Sequence, residues 1–372
     1  MSDPSPPSTT STTKPQFAPR SHNDVYPFIH PKKFKGALQD KVTIITGSAG
    51  AIGQALAESF SVAGAKLVLT YNNTPPPTTL REKCVDLGAG DVAFVKCNVA
   101  ELEGCEDLVK QASVTVIKHY GRVDILINNA GANSLGLFDT QPPEAFIHEL
   151  AVNLHGPYYL MRLLLPHFKS QRSGCILNIA SRAGTVAIPY STGYCAGKAA
   201  LINLTACVQK EVDIDGLDDV HLYSLHLGGI KSAMTLSKYS PSSISTLPPA
   251  THSVFTNSFN TLYNDSPYLN GMACVALASG IAKHVLRGKY VDVGQDLEDI
   301  LAQAEAIKLD EELYSLHTSF LGGLVNGVPG IGAGTGNDAA KEVDGEDGVV
   351  TGKEGKELKE RGRQETFEFP GF

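Results

Sequence analysis

Residues 41–71 read KVTIITGSAGAIGQALAESFSVAGAKLVLTY, and the fold turns on this stretch. Its first six residues, KVTIIT (41–46), form an apolar, β-branched run that predicts a strand. A glycine-rich turn follows. Ile52, Ala55, Leu56, Ser59, Phe60 and Ala63 then recur at helical spacing, giving a small-residue face able to pack closely on a sheet. AKLVLTY (65–71) predicts a second strand, so the stretch is a strand, turn, helix, strand unit.

The same alternation continues downstream. DVAFVKC (91–97), VDILIN (123–128), CILNIA (175–180), VHLYSLH (220–226) and KYVDVG (289–294) are further candidate strands, separated by longer amphipathic segments. Continuous apolar runs suit strands buried on both faces, and helical crossovers between parallel strands supply that cover. The expected architecture is an α/β fold with a Rossmann-type, doubly wound parallel sheet of about seven strands in a single domain over residues 34–326. No internal repeat is visible.

Outside that domain the composition changes. Residues 1–33 are rich in Pro, Ser and Thr, and residues 327–372 are Gly-rich and then dense in mixed charge, so both are expected to be disordered tails. The 372 residues carry a net charge of -8, which argues against nucleic-acid or anionic-membrane partners. Seven cysteines without a CxxC pair suggest neither a disulfide framework nor a zinc site, and no long apolar run suggests a signal peptide or a membrane span. A cytoplasmic protein with reduced thiols is expected.

The turn TGSAGAIG (46–53) lies where the first strand becomes a helix, so unpaired backbone N–H groups and the helix dipole can face a pyrophosphate. Gly47 permits the tight turn and Gly53 a close approach of helix and strand. Such a turn also occurs in ordinary β–α connections, and other motifs must decide. Tyr194 and Lys198 are four residues apart and would project from one helix face, the geometry a proton relay needs. A phenol ordinarily titrates near about 10 and is a poor base at neutral pH, so a neighbouring ammonium at Lys198 is expected to lower it. Ser181, at the end of the fifth predicted strand, carries a hydroxyl that can hydrogen-bond an oxygen on which negative charge develops.

The order and spacing of TGSAGAIG, NNAG (128–131), Asn153 in VNLHG, Ser181 in ILNIAS, YCAGK (194–198) and LGGIKS (227–232) resemble the short-chain dehydrogenase/reductase family, over roughly residues 36–300. The resemblance implies Asn153, Ser181, Tyr194 and Lys198 as the catalytic set. Asn153 would hold a water linking Lys198 to solvent, and Lys198 would also bind the nicotinamide ribose. It implies a cofactor set of Gly47, Ser48, Ile52, Gly53, Asn72, Asn98, Val99, Asn129, Gly131, Tyr194, Lys198, Ile230 and Ser232. Ala51 replaces the usual middle glycine, Asn98 an aspartate that meets the adenine, and Leu227 a proline.

At the end of the second strand, Thr70-Tyr71-Asn72-Asn73 offers no carboxylate to a ribose 2′-OH, and Arg81 and Lys83 follow, which leans toward NADP(H) over NAD(H). No histidine pair has metal-ligand spacing, His148, His155 and His167 included, and Ser181 lacks a GxSxG elbow, so a metal site and a hydrolase are both disfavoured. His226 lies close enough to the predicted site to touch substrate.

Residues 233–270 are expected to form a long substrate loop, in which Phe255, Phe259, Leu262 and Tyr263 either meet substrate or pack as core. Without a cluster of Arg or Lys there, a neutral ketone or alcohol fits best. Homodimers or homotetramers are implied by the resemblance, through the two long helices after strands four and five. The functional expectation is an oxidoreductase interconverting a small-molecule ketone and a secondary alcohol. A catalytically idle dinucleotide-binding regulator or scaffold is the alternative.

Overall fold

The structure, a computed structural model, describes residues 17–111 and 122–318. All seven predicted strands form: β1 (Val42–Ile45), β2 (Lys66–Tyr71), β3 (Asp91–Lys96), β4 (Ile125–Asn128), β5 (Gly174–Ile179), β6 (Val220–His226) and β7 (Tyr290–Asp292). They make one sheet in the order β3-β2-β1-β4-β5-β6-β7, and each neighbouring pair runs parallel. The chain winds outward from β1 in one direction through β3 and in the other from β4 to β7. The C-terminal ends of β1 and β4 therefore flank the point where the winding reverses, where such sheets leave a crevice for a ligand.

Period-two alternation explains why the strand sequences are apolar throughout. Ile45, Leu67, Leu69, Ile127 and Leu177 face one layer, where they meet Leu56 and Phe60 of the helix Ala51–Val62 and Met272 of the helix Pro267–Ala278. Val68, Ile44, Leu126, Ile176 and Leu222 align across the opposite face under Leu160, Leu164 and Phe168 of the helix Gly156–Gln171. The small-residue stripe on 51–62 serves a neighbouring helix as well as the sheet: a Cβ at Gly271 would collide with the Ser59 side chain.

Two expectations about segments are corrected. Residues 17–33, assigned to a disordered tail of 1–33, are held in place along the body. Ser21 bridges Gln295, the Arg20 guanidinium pairs with Asp299 at 2.8 Å, and Tyr26 and Ile29 are buried in the core. The Tyr26 hydroxyl accepts from the Leu297 N–H at 3.0 Å. The polar composition hid two anchoring side chains whose partners lie some 270 residues away. Residues 1–16 and 319–372, including the expected C-terminal tail, lie outside the described residues.

The second correction concerns 233–270, which is mostly helical. Short helices span Ala233–Lys238, Pro241–Ile244 and His252–Leu262, and the helix expected near Met272 begins at Pro267. The Ser and Pro residues that resemble loop composition are helix starts. Ser232, Ser240 and Ser266 accept from N–H groups of the next turn, and Pro241 and Pro267 supply a preset φ just inside two of those starts.

Candidate active site

Consecutive strand ends place the predicted residues in a row. From one side to the other they are Asn98 after β3, Asn72 after β2, Gly47 after β1, Asn129 and Gly131 after β4, Ser181 after β5, and Ile230 and Ser232 after β6. Residues that span 185 positions of sequence thus share one edge because a parallel sheet directs all its C-terminal ends the same way.

The middle of the row is locked by hydrogen bonds between the β1 and β4 turns. Thr46 Oγ1 accepts from the N–H groups of Asn129 (2.9 Å) and Ala130 (3.0 Å), and Asn129 Nδ2 donates to the carbonyls of Thr46 (2.8 Å) and Gly47 (3.1 Å). Gly47 has φ +64°, and a Cβ there would stand 2.9 Å from Ala130 Cα, so both the conformation and the contact require glycine. Gly53 is required by contact alone, since its Cβ would lie 2.5 Å from the Gly47 carbonyl oxygen. No side chain caps the following helix at Gly50, which leaves its first-turn N–H groups facing the crevice for an anion. Glycine turn, uncapped helix start and switch point together fit a dinucleotide pyrophosphate.

Several residues of the expected cofactor set are engaged in holding the local backbone. Ser48 is fully buried and its hydroxyl donates to the Thr70 carbonyl at 2.8 Å, so it ties the turn to β2. Asn98 donates to Glu101 at 2.8 Å and accepts from Ala100 N–H, shaping the entry to the helix Leu102–Gln111. Val99 and Ile230 are buried, Ile52 is partly buried against the core, and Asn72 is exposed. Ser232 forms a capping box with Thr235.

The catalytic set converges at the end of β5. Tyr194 and Lys198 occupy the first two turns of the helix Thr192–Ile214, and Lys198 Nζ donates to the carbonyl of Ile179 at 2.6 Å. That bond ties the helix to the strand two residues before Ser181. The Ser181 hydroxyl accepts from Ala183 N–H at 3.1 Å and lies near enough to the Tyr194 phenol to act on its ionisation. Asn153 is fully buried in a widened π-helical segment, Ala151–His155. Its Nδ2 donates to the carbonyls of Ala132 (2.7 Å) and Glu149 (2.9 Å), which fixes the loop after NNAG. Pro157, four residues on, has no N–H to close an α-helical bond to the Asn153 carbonyl.

Burial sets the electrostatics. It pushes the Tyr194 phenol up to about 12, although the neighbouring Ser181 hydroxyl pulls the other way. It also pulls the Lys198 ammonium down to about 7. The expectation that Lys198 lowers the Tyr194 pKa is therefore not met in the protein alone: Nζ sits 5.5 Å from the ring centre, its own charge is disfavoured, and it is aimed at Ile179.

Other side chains settle differently from expectation. Lys83 is held by Glu58 at 2.7 Å, whereas Arg81 lies over the Phe94 ring of β3 at 5.1 Å. His226 Nδ1 accepts from Arg182 N–H, and His148 and His155 are exposed. Among the described residues no group of three His, Cys, Asp or Glu side chains is placed to hold a metal, and no helix is long and apolar enough to cross a membrane.

Sequence reasoning missed two residues near Tyr194. Glu149 is buried and accepts from the Ser134 N–H and hydroxyl at 2.5 and 2.7 Å. Lys238, at the end of the helix 233–238, has its ammonium 5.8 Å from the Tyr194 ring centre. The available signal for Lys238 was its being the one Lys or Arg in 233–270. Phe255 is buried against Tyr190 and Tyr239, Phe259 and Tyr263 also meet the Tyr239 ring at a tilt, and Leu262 is exposed.

Comparison with known proteins agrees with this geometry. A family model described as short chain dehydrogenase matches residues 41–242. A short chain dehydrogenase of Pseudocercospora fijiensis is 28% identical over 286 residues, covering 76% of this chain and 89% of that protein. A D-beta-hydroxybutyrate dehydrogenase of Rhizobium meliloti is 32% identical over 178 residues, covering 48% of this chain and 67% of its own. The crystal structure of a short-chain dehydrogenase/reductase from Burkholderia xenovorans superposes with a TM-score of 0.60 at 25% identity, covering 70% of this chain and 97% of that one. With a parallel sheet, a glycine turn at its switch point and matched sequence over 41–242, the chain belongs to the short-chain dehydrogenase/reductase family of oxidoreductases.

Proposed function

We propose that this protein is an NAD(P)(H)-dependent oxidoreductase that interconverts a ketone and a secondary alcohol, with Tyr194 as general acid and base and with Ser181 and Lys198 beside it. The observation that carries the reading is the meeting of three side chains at the end of β5: Lys198 Nζ donates to the Ile179 carbonyl at 2.6 Å, two residues before Ser181, and lies 5.5 Å from the Tyr194 ring centre. When bound, the nicotinamide supplies or accepts the hydride. Tyr194, raised to about 12, keeps its proton at neutral pH and donates it to a carbonyl oxygen as that oxygen gains charge. Ser181 steadies the same oxygen. In the oxidative direction the phenol must first lose its proton, so rising pH favours oxidation.

The cofactor residues are those along the strand ends, with Ser48 and Asn129 holding the turns in shape. NADP(H) is favoured. The end of β2 carries exposed Asn72 and Asn73 in place of a carboxylate, and no acidic side chain pairs with Arg81 among the described residues, which suits a 2′-phosphate. Two relatives bear names on the same functional-group pair, the hydroxybutyrate dehydrogenase above and a 3-oxoacyl-[acyl-carrier-protein] reductase of Haemophilus influenzae that is 32% identical over 180 residues. Exposed Tyr158 and Cys207, on neighbouring helices after β4 and β5, support a homodimer or homotetramer. All seven cysteines are free thiols, in keeping with a cytoplasmic location.

The test is a panel of ketones and secondary alcohols with reduced and oxidised NADP and NAD, followed by nicotinamide absorbance. Tyr194→Phe is expected to lower turnover by about 10²–10⁴-fold with the circular dichroism spectrum unchanged. Unchanged turnover in that variant would sink the mechanism, and dinucleotide binding without any turnover across the panel would favour an idle scaffold.

A further inference from the structure

The segment 233–270 closes over the Tyr194 site and carries a single cation, Lys238. A lone lysine in a polar surface segment ordinarily extends into water. Lys238 does the reverse: it is 6% exposed, and its ammonium lies 5.8 Å from the Tyr194 ring centre and 5.5 Å from that of Tyr239. Burying an ammonium costs several kcal/mol unless an anion or a full set of acceptors compensates. Two aromatic faces offset part of that cost and leave the three N–H donors unspent.

Among the described residues no carboxylate takes up those donors. Glu149 is the carboxylate that acts on Lys238 across the site, and its Oε1 is already engaged by the Ser134 N–H and hydroxyl. No ion pair joins Lys238 to any described residue. Burial pulls the ammonium down to about 8, with Cys195 and Glu149 opposing the shift, so it keeps most of its positive charge at neutral pH. The site therefore contains a desolvated, charged donor beside the group that handles the reacting oxygen, without an ion-pair partner among the described residues.

We propose that Lys238 receives a carboxylate of the substrate, which makes the reacting pair an oxo acid and its hydroxy acid. This deepens the ketone–alcohol reading above and rests on it. The geometry places the acid within a few bonds of the reacting carbon, because Lys238 meets the same ring whose hydroxyl serves that carbon's oxygen. One cation matches one negative charge, whereas a phosphate dianion would call for the paired or bidentate donors that this segment lacks. The aromatic side chains of Tyr239, Phe259 and Tyr263, tilted against one another at 5.4 Å centre to centre, supply an apolar wall beside the cation. This revises the expectation of a neutral substrate, which counted cations and had no way to see where the single one points.

The test is calorimetric titration of the full-length protein, with NADP⁺ present, using acetoacetate and levulinate against their methyl esters. Each acid is expected to bind about tenfold or more tightly than its ester, the strength of one charge-assisted hydrogen bond. Lys238→Met should erase that preference and Lys238→Arg should keep most of it, with melting curves showing that both variants fold. Acids that bind no better than esters to the wild type, or a preference that survives Lys238→Met, would overturn the proposal. Hydride transfer is read separately by nicotinamide absorbance, so failure of the redox reading and failure of the carboxylate site are distinguishable.

Discussion

Alanine at Gly53 and alanine at Gly50 are the same chemical change three residues apart, and the structure assigns them opposite outcomes. At Gly53 the new methyl would lie 2.5 Å from the Gly47 carbonyl oxygen and 2.6 Å from Ser48 Cα, roughly 1 Å inside a comfortable contact. The turn has little room to yield. Ser48 N–H and hydroxyl both bond the Thr70 carbonyl, at 2.9 and 2.8 Å, and Gly47 abuts Ala130 on the other side. Overpacking of this kind costs about 1–3 kcal/mol. If the turn relieves it by shifting, at least one N–H aimed at the pyrophosphate is misplaced. A hydrogen bond to a charged group contributes about 1.5–3 kcal/mol, so dinucleotide affinity should fall about 10- to 100-fold. At Gly50 the nearest atom to the methyl is 3.9 Å away and the backbone is extended, so stability should change by no more than about 0.5 kcal/mol. Urea unfolding measures the first quantity. Fluorescence titration with NADPH measures the second, and the chain has no tryptophan to interfere. If Gly53→Ala and Gly50→Ala behave alike in both assays, the reading of this turn is wrong.

Other expected outcomes follow from single side chains. Lys198 titrates near 7 when folded against an ordinary 10.5, so the unfolded chain binds more protons in that window and stability should rise as pH increases from about 7 to 10. Lys238 adds to the same rise, and Lys198→Met should flatten it; equal slopes for variant and wild type in pH-dependent urea unfolding would refute the assignment. Tyr26→Ala removes a buried ring that pins residues 17–33 and should cost about 3–5 kcal/mol by denaturant titration, whereas a loose tail would lose nothing. Arg81→Ala should weaken NADPH by about tenfold while leaving NADH nearly unchanged, and an equal effect on both would remove Arg81 from cofactor selection.

Much of this protein is local and therefore readable from sequence. Apolar runs such as KVTIIT and CILNIA identify strands because residues buried on both faces leave no polar positions, and all seven appear in the sheet. The spacing of Tyr194 and Lys198 places them on one helix face whatever surrounds them, and the glycine turn at 46–53 follows from backbone sterics alone. Tertiary structure decided the rest, because it depends on partners far away in the chain. Residues 17–33 look disordered by composition, yet Tyr26 and Arg20 find Leu297 and Asp299. Lys83 looks available for a phosphate until Glu58 claims it. Lys238 looks like a solvated lysine, and only the packing of 233–238 over Tyr194 turns its ammonium inward. Periodicity records which side of an element is buried, whereas the identity of what lies on the other side is a property of the assembled fold.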